Sequence, residues 1–332
     1  MKKVFLVVAL VFTALLTQAQ AQPVQPLGLT LEEVAYPYPV KYIQLTLQGE
    51  SLKMAYMDVK PQNSNGKVVM LLHGKNFNGA YWEKTATDLS KHGYRVIIPD
   101  QIGFGKSSKP AHLQYSFPLL AQNTKVLLDS LAIRKAAVLG HSMGGMLAVR
   151  FTLMYPQLVE KLILENPIGL EDWRQKVPYQ GVDAWYKSEL KSNYEQIKKY
   201  QLENYYDGKW KPDYDRWVNL QAGWTLSPDY PRIAWNSALT YDMIFAEPVV
   251  YEFEQLKAPT LLIIGQRDRT ALGKNLVDEQ TRKTMGNYPE LGKSAAKRIP
   301  QSALVELNNI GHLPHIEAYD QFITPLVSFL KK

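Results

Sequence analysis

The stretch from Ala136 to Tyr155, AAVLGHSMGGMLAVRFTLMY, decides how the rest of the chain is interpreted. Its first residues, Ala136 to Leu139, form a short apolar run typical of a buried strand, and the residues after Ser142 are small and then apolar at helical spacing. Between these two parts lies Gly140-His141-Ser142-Met143-Gly144, a G-x-S-x-G pattern. In a strand-turn-helix context this pattern predicts a serine on a sharp, strained turn, with its hydroxyl exposed at the N-terminus of a helix.

The N-terminus has the pattern of a secretory signal peptide. Lys2 and Lys3 precede an apolar run from Val4 to Leu16, and Ala19-Gln20-Ala21 supplies the small residues that a signal peptidase requires. We therefore predict a signal peptide over residues 1–21 and an exported protein, periplasmic or secreted. The alternative is an uncleaved anchor, but the run is shorter than the roughly 20 apolar residues that span a bilayer. No stable membrane span is expected after cleavage.

Composition excludes several classes of protein. The 332 residues include no cysteine, which excludes thiol catalysis, zinc ribbons and disulfides. The formal charge of +7 is spread along the chain without an aromatic-basic motif, so no nucleic-acid partner is expected. No metal-ligand spacing, dinucleotide fingerprint or P-loop occurs, and neither a metal nor a cofactor is implied.

The order of the apolar runs predicts an α/β fold, with a doubly wound, mostly parallel sheet. Residues 22–40 are predicted to be an extended N-terminal segment, followed by an antiparallel hairpin from Lys41–Leu47 and Leu52–Val59. Nearly continuous apolar runs then alternate with helical patterns, which indicates parallel strands covered on both faces. The predicted strands are Lys67–Leu72, Tyr94–Pro99, Ala136–Leu139, Lys161–Leu164, Thr260–Gly265 and Ala303–Leu307, and the predicted helices are Tyr81–His92, Phe117–Leu131, Asn275–Lys297 and His315–Leu330.

The alternation is interrupted by an aromatic segment. Residues 168–245 hold six of the seven Trp and nine of the twenty Tyr and have no strong strand pattern. We interpret this segment as a helical lid inserted into a core formed by residues 41–167 and 246–332. Its tryptophans Trp173, Trp217 and Trp224 are candidates to line a substrate pocket, or else they form the lid's own small core.

A serine nucleophile requires a base and a carboxylate, and two positions qualify. The serine needs an imidazole to take its proton, and the imidazole needs a carboxylate to fix its tautomer. In a doubly wound sheet these groups are expected just past the C-terminal ends of strands. Asp268 and His312 follow two such predicted strands, and Glu165, at the end of another, is an alternative acid.

With these positions in place, the chain resembles the α/β-hydrolase fold superfamily, in its branch of lidded serine esterases, haloperoxidases and C–C hydrolases. The resemblance covers residues 41–330. It rests on four motifs in the expected order: His73-Gly74, the loop Asp100 to Gly105, Gly140 to Gly144, and Asp268 with His312.

The resemblance implies a role for each of these residues. Ser142 would be the nucleophile, His312 the general base and then acid, and Asp268 its orienting carboxylate. The oxyanion hole would use the backbone N–H of Met143 and one from the loop after Gly74, with Lys75 first and Asn76 as the next candidate. Among the other histidines, His73 is expected to be structural, His141 to point away from the nucleophile, and the rest to be surface or packing residues: His92, His112 and His315. Asp100 is expected to hold its loop through backbone hydrogen bonds.

The predicted function is that of an exported serine hydrolase that cleaves carboxylic esters through an acyl-enzyme on Ser142. The aromatic insertion favours a small apolar or aromatic ester as the substrate. Alternatives are a C–C bond hydrolase or a haloperoxidase-like perhydrolase that uses the same triad, and a non-catalytic, ligand-binding member of the fold.

Overall fold

The computed structural model describes residues 24–332, so the predicted signal peptide lies outside the described residues. Eight strands and eleven α-helices occur within the described range. The strands are β1 (Val40–Leu47), β2 (Glu50–Val59), β3 (Val68–Leu72), β4 (Arg95–Pro99), β5 (Ala136–His141), β6 (Val159–Glu165), β7 (Thr260–Gly265) and β8 (Ser302–Leu307). The helices are α1 (Glu83–Lys91), α2 (Phe117–Ser130), α3 (Met143–Met154), α4 (Val182–Glu189), α5 (Tyr194–Asn204), α6 (Asp215–Thr225), α7 (Tyr230–Ala246), α8 (Glu279–Lys283), α9 (Tyr288–Arg298), α10 (Pro314–Glu317) and α11 (Tyr319–Lys331).

All eight strands form one sheet, in the order β1-β2-β4-β3-β5-β6-β7-β8. The pairs β1·β2 and β2·β4 are antiparallel, and every other neighbouring pair is parallel. Apolar clusters lie on both faces of the sheet, which is why its central strands are almost wholly apolar. The prediction of a doubly wound, mostly parallel sheet is confirmed.

Two predicted helices are shorter than expected. The expected helix over residues 275–297 is divided into α8 and α9, because Gly286 adopts a positive φ of 66° and Pro289 opens the second helix. The expected C-terminal helix is likewise divided into α10 and α11 at Ala318, whose φ of −142° is not helical.

The turn between β5 and α3 has the strained geometry that its sequence predicts. Ser142 has φ 55° and ψ −121°, a region that residues with a side chain rarely occupy. A Cβ on Gly140 would overlap the carbonyl of Gly144, and a Cβ on Gly144 would overlap the carbonyl of Leu72. The two glycines therefore let α3 begin directly against the strands, and Ser142 is held at the apex of the turn.

The described part of the N-terminal segment is extended but it is not a free linker. Leu31 is fully buried, and the hydroxyl of Tyr36 donates to Asp100 at 2.7 Å. The segment also contacts α6, where Leu27 N donates to the Gly223 carbonyl at 3.1 Å. It thus joins the core to the inserted helices.

The chain between β6 and β7 is helical, and its residues contact the loops at the carboxyl ends of the strands. The Ser237 hydroxyl on α7 accepts from Lys75 Nζ at 2.6 Å, and the Tyr205 hydroxyl after α5 accepts from Asn76 Nδ2 at 2.8 Å. Lys75 and Asn76 follow β3, so the helices α4 to α7 lie over this edge of the sheet. Among residues 24–332, no helix has the length and apolarity to cross a bilayer.

The close approach at the turn can be tested by adding one methyl group. We expect Gly140→Ala to lower the free energy of unfolding by about 3 kcal/mol, because the new Cβ overlaps backbone that cannot move freely. Gly181→Ala is the matched control. Gly181 has φ −66° and open space around it, so we expect its free energy of unfolding to fall by no more than about 1 kcal/mol. Urea unfolding followed by circular dichroism measures both, and equal stability of the two variants would contradict the close approach.

Candidate active site

Three side chains predicted from the sequence meet at one edge of the sheet. His312 Nε2 lies 3.0 Å from Ser142 Oγ, and His312 Nδ1 lies 2.6 Å from Asp268 Oδ2. Asp268 and His312 are almost fully buried, at 0% and 1% exposure, whereas Ser142 retains 8%. A hydroxyl beside an imidazole whose other nitrogen contacts a carboxylate is the arrangement that activates a serine.

Each member of this triad follows a different strand. Ser142 follows β5, Asp268 follows β7 and His312 follows β8, and these strands run parallel. The Asp268 carboxylate is itself held, because Oδ1 accepts from Thr270 N at 2.7 Å and Oδ2 accepts from Asn166 Nδ2 at 2.8 Å. Hydrogen bonds of this kind fix the carboxylate toward the imidazole.

The alternative acid, Glu165, has a different partner. Its Oε1 accepts from the backbone N–H of His315 at 2.8 Å and lies 2.8 Å from His315 Nδ1. The His315 ring stacks on Trp82, with centroids 4.3 Å apart. The structure therefore brings Asp268, and not Glu165, to His312, and it places His315 in the packed interior.

Two further histidines lie near the turn as neutral groups. Burial lowers the pKa of His73, and burial lowers the pKa of His141 well below its usual range, with His312 and His315 adding to that effect. His73 Nε2 accepts from Gln101 N at 3.1 Å, and His141 Nε2 lies 2.8 Å from the backbone carbonyl of His312. The ring nitrogens of His141 thus contact the Tyr81 hydroxyl and the His312 carbonyl, and His141 supports the loop that carries His312. His92 and His112 are exposed.

Asp100 occupies the structural position that the sequence suggests. Its Oδ1 accepts from Gly79 N at 2.6 Å, and its Oδ2 accepts from Lys106 N at 2.7 Å as well as from Tyr36. These bonds hold the loop after β4 and the N-terminal segment together. The carboxylate contacts no member of the triad.

The amides predicted to bind an oxyanion come from two loops. Met143 follows the nucleophile directly, and Lys75 and Asn76 follow Gly74 after β3. In the described part of the chain, the backbone N–H groups of Met143 and Lys75 donate to no acceptor. Gly74 N, in contrast, donates to the Tyr81 hydroxyl at 2.9 Å, so it is not available. The backbone N–H of Asn76 likewise donates to no acceptor among the described residues, so Met143 and both candidates of the loop after Gly74 remain free donors.

Tyr205 is a contact of the site that the sequence did not reveal. Its ring stacks on the His312 imidazole with centroids 4.9 Å apart, and its carbonyl accepts from His312 N at 3.3 Å. Its hydroxyl accepts from Asn76 Nδ2 at 2.8 Å, so one residue of the insertion touches both the base and the oxyanion loop. Tyr205 is one of nine tyrosines in that segment, and no local motif distinguishes it.

A cavity of about 310 Å³ reaches Ser142 from the inserted helices. Most of its wall is apolar or aromatic, as is usual for small-molecule sites. Trp173 lies in this wall as expected, together with residues that the sequence did not single out: Trp185, Tyr200, Tyr241, Ile168 and Ile244.

The other two tryptophans do not line this cavity: Trp217 has the packing role that the sequence left open, and Trp224 lines a neighbouring cavity. Trp217 packs edge-on against Phe77 and Tyr81, with centroids 6.2 and 6.3 Å away, and so stabilises the base of the insertion. Trp224 donates from Nε1 to the Gly28 carbonyl at 3.0 Å and lines a second, neighbouring cavity of about 230 Å³.

No group of three or more acidic or histidine side chains within residues 24–332 is arranged to hold a metal ion.

This chain is similar in sequence and in fold to several known proteins. The family model for the alpha/beta hydrolase fold matches residues 67–319. Lipase 1 of Psychrobacter immobilis is 28% identical over 288 residues, which cover 83% of this chain and 81% of the lipase. A 2-hydroxy-6-oxo-6-phenylhexa-2,4-dienoate hydrolase of Burkholderia cepacia is 30% identical over 211 residues, covering 61% of this chain and 72% of that enzyme. A solved structure of a probable hydrolytic enzyme from Pseudomonas aeruginosa PAO1 has a TM-score of 0.92 and 51% identity, covering 93% of this chain and 99% of that one.

The two candidate acids can be separated by the reactivity of Ser142. We expect Asp268→Asn to slow labelling by a fluorophosphonate probe by about 10³-fold or more, because the amide no longer stabilises the required imidazole. The labelling rate of Glu165→Gln should stay within about tenfold of the parent rate, because Glu165 contacts His315 and not His312. Intact mass spectrometry over time gives both rates. The opposite ranking would assign the triad acid to Glu165.

Proposed function

Because the chain belongs to the alpha/beta hydrolase fold family, we propose that it is an exported serine hydrolase that cleaves carboxylic esters through an acyl-enzyme on Ser142. The observation that carries this proposal is the contact of His312 with both Ser142 and Asp268, at 3.0 and 2.6 Å. The relative named as a lipase supports ester chemistry. The signal-peptide pattern of residues 1–21 supports export.

In the proposed mechanism, Ser142 Oγ attacks the ester carbonyl and its proton passes to His312 Nε2. Asp268 stabilises the imidazolium that results, and the N–H groups of Met143 and Lys75 bind the oxygen that becomes negative. The tetrahedral intermediate then collapses: the bond between the carbonyl carbon and the alcohol oxygen breaks, and His312 returns the proton to the leaving alcohol. Water, deprotonated by His312, then attacks the carbonyl carbon of the acyl-enzyme. The bond from that carbon to Ser142 Oγ breaks, His312 returns the proton to Oγ, and the acid is released.

The insertion is proposed to act as a lid over this site. Its residues Trp173 and Trp185 border the same cavity as Ser142, which supports an apolar or aromatic body for the substrate. The Tyr205 contact with His312 makes the insertion part of the support for the base. Excluding water from such a site strengthens the hydrogen bonds to the developing oxyanion.

A C–C bond hydrolase is the second candidate. It is favoured by the similarity to the dienoate hydrolase of Burkholderia cepacia, at 30% identity over 211 residues. Ser142 and His312 would act as they do on an ester, but the bond that breaks would join the attacked carbonyl carbon to another carbon. The leaving carbon would take the proton from His312. A panel of p-nitrophenyl esters and vinylogous diketones separates the two functions, because the preferred class will have the higher kcat/KM.

The nucleophile is tested by removing its oxygen. We expect Ser142→Ala to lower kcat for a short p-nitrophenyl ester by about 10⁵-fold or more, because within residues 24–332 Ser142 Oγ is the hydrogen-bond partner of His312 Nε2. Circular dichroism should show that the variant is folded, since alanine loses one oxygen and no packing. Turnover above one hundredth of the parent rate in a folded variant would contradict the role of Ser142.

A further inference from the structure

The side chain of Lys75 extends from the oxyanion loop into the space beneath the inserted helices. Its Nζ donates to the Ser237 hydroxyl at 2.6 Å and lies 3.5 Å from the centre of the Tyr241 ring. An ammonium group carries three N–H bonds. Within the described residues, Ser237 is the one hydrogen-bond acceptor of this group and the Tyr241 ring covers another of its faces, so at least one N–H bond remains for a ligand.

Lys75 belongs to the walls of both cavities, and the charges of the two cavities differ. The cavity that contains Ser142 is lined by two cations, Lys75 and Lys274, and by no acidic residue. The second cavity contains Glu189, whose Oε2 accepts from the Ser237 hydroxyl at 2.6 Å. A carboxylate therefore accompanies Lys75 in the second cavity, and none accompanies it in the cavity of Ser142.

The same wall holds a polar atom without a partner. Thr270 lines the cavity of Ser142, and its buried Oγ1 has no hydrogen-bond partner among the described residues. Buried polar groups in folded proteins are normally paired. That oxygen is itself buried, so the indication of a ligand comes from the charged residues: a largely aromatic cavity with two lysines and no acidic residue in its wall favours a ligand with a negatively charged end.

We propose that Lys75 binds a carboxylate of the substrate, so that the enzyme prefers esters with an apolar body and a negatively charged end. This inference rests on the proposed ester hydrolysis and names the substrate class that the site selects. The backbone N–H of Lys75 would donate to the oxyanion, and its side-chain ammonium would bind the carboxylate. One residue thereby fixes the distance between the reacting carbonyl and the charged end.

The acidity of Lys75 agrees with this geometry. Burial lowers its pKa from 10.5 to about 8, and Glu189 opposes that effect. The electrostatic attraction between an ammonium and a carboxylate is stronger when the ammonium is desolvated than when water surrounds it. The ionisable residues that line the two cavities beside Lys75 are Glu189 of α4, Tyr200 of α5, Tyr205, Tyr230 and Tyr241 of α7, and Lys274.

The test compares two esters in the full-length mature enzyme. The p-nitrophenyl monoester of adipic acid carries a carboxylate, and p-nitrophenyl heptanoate is its neutral counterpart. The quantity measured is the charge preference, which is the ratio of kcat/KM for the anionic ester to that for the neutral one. Because both esters use the same nucleophile and oxyanion hole, a general loss of activity cancels in this ratio.

We expect the charge preference to fall at least about tenfold in Lys75→Met, which keeps the length of the side chain and removes its charge. At a pH well below the pKa of Lys75, where the ammonium is fully charged in both proteins, Glu189→Gln should raise the charge preference, because the competing carboxylate is gone. Lys274→Met is the matched control, with a smaller effect than Lys75→Met. An unchanged ratio in Lys75→Met, or a larger effect in Lys274→Met, overturns the proposal while ester hydrolysis stands. Absence of turnover with both esters in the parent enzyme would instead overturn the proposed function.

The pH dependence provides a separate test. The kcat/KM value reports ionisations of the free enzyme, so the charge preference should decline as the pH rises through about 8, where Lys75 loses its proton. In Glu189→Gln the decline should move to lower pH, because Glu189 raises the pKa of Lys75. A charge preference that stays constant from pH 7 to pH 10 would contradict the role of the ammonium group.

Discussion

The rest of the site depends on the backbone of a single residue, Ser142, which is held at φ 55° between a strand and a helix. That conformation is costly for a residue with a side chain, and it persists because its surroundings determine it. Ser142 N donates to the Glu165 carbonyl at 3.3 Å, and the Ser142 carbonyl accepts from Gly145 N at 2.9 Å and from Ile168 N at 3.1 Å. The neighbouring strand and the first turn of the helix thus fix the direction of the hydroxyl.

A chain of hydrogen bonds beneath the turn relates the other parts of the site to it. Gly74 N donates to the Tyr81 hydroxyl, which lies 3.1 Å from His141 Nδ1, and His141 Nε2 lies 2.8 Å from the His312 carbonyl. Burial keeps His141 neutral, so one ring nitrogen can donate while the other accepts. The oxyanion loop and the loop of the base are therefore held at a fixed separation by groups that take no part in bond making.

The sequence was most informative where local geometry has strict chemical requirements. The G-x-S-x-G turn, the apolar strands and the positions of Asp268 and His312 after their strands could all be predicted, because a parallel sheet brings the carboxyl ends of its strands to one edge. The insertion could be recognised but not oriented. The sequence does not determine which face of each of these helices packs against the sheet. Nothing in the hydrophobic pattern therefore distinguished Trp173, which borders the cavity, from Trp217, which packs against Phe77. Tyr205 and the side chain of Lys75 were missed for the same reason, since their partners are distant in the chain.

The packed N-terminal segment has a consequence for the order of folding. Gly28 accepts from Trp224 Nε1 across 196 positions of sequence, and the Leu31 carbonyl accepts from Lys106. Contacts between such distant positions form late, because loop closure costs entropy before they contribute. Residues 24–36 precede the rest of the described chain in sequence, yet we expect them to be among the last to reach their final place and to join α6 to the core only after most of the polypeptide has folded.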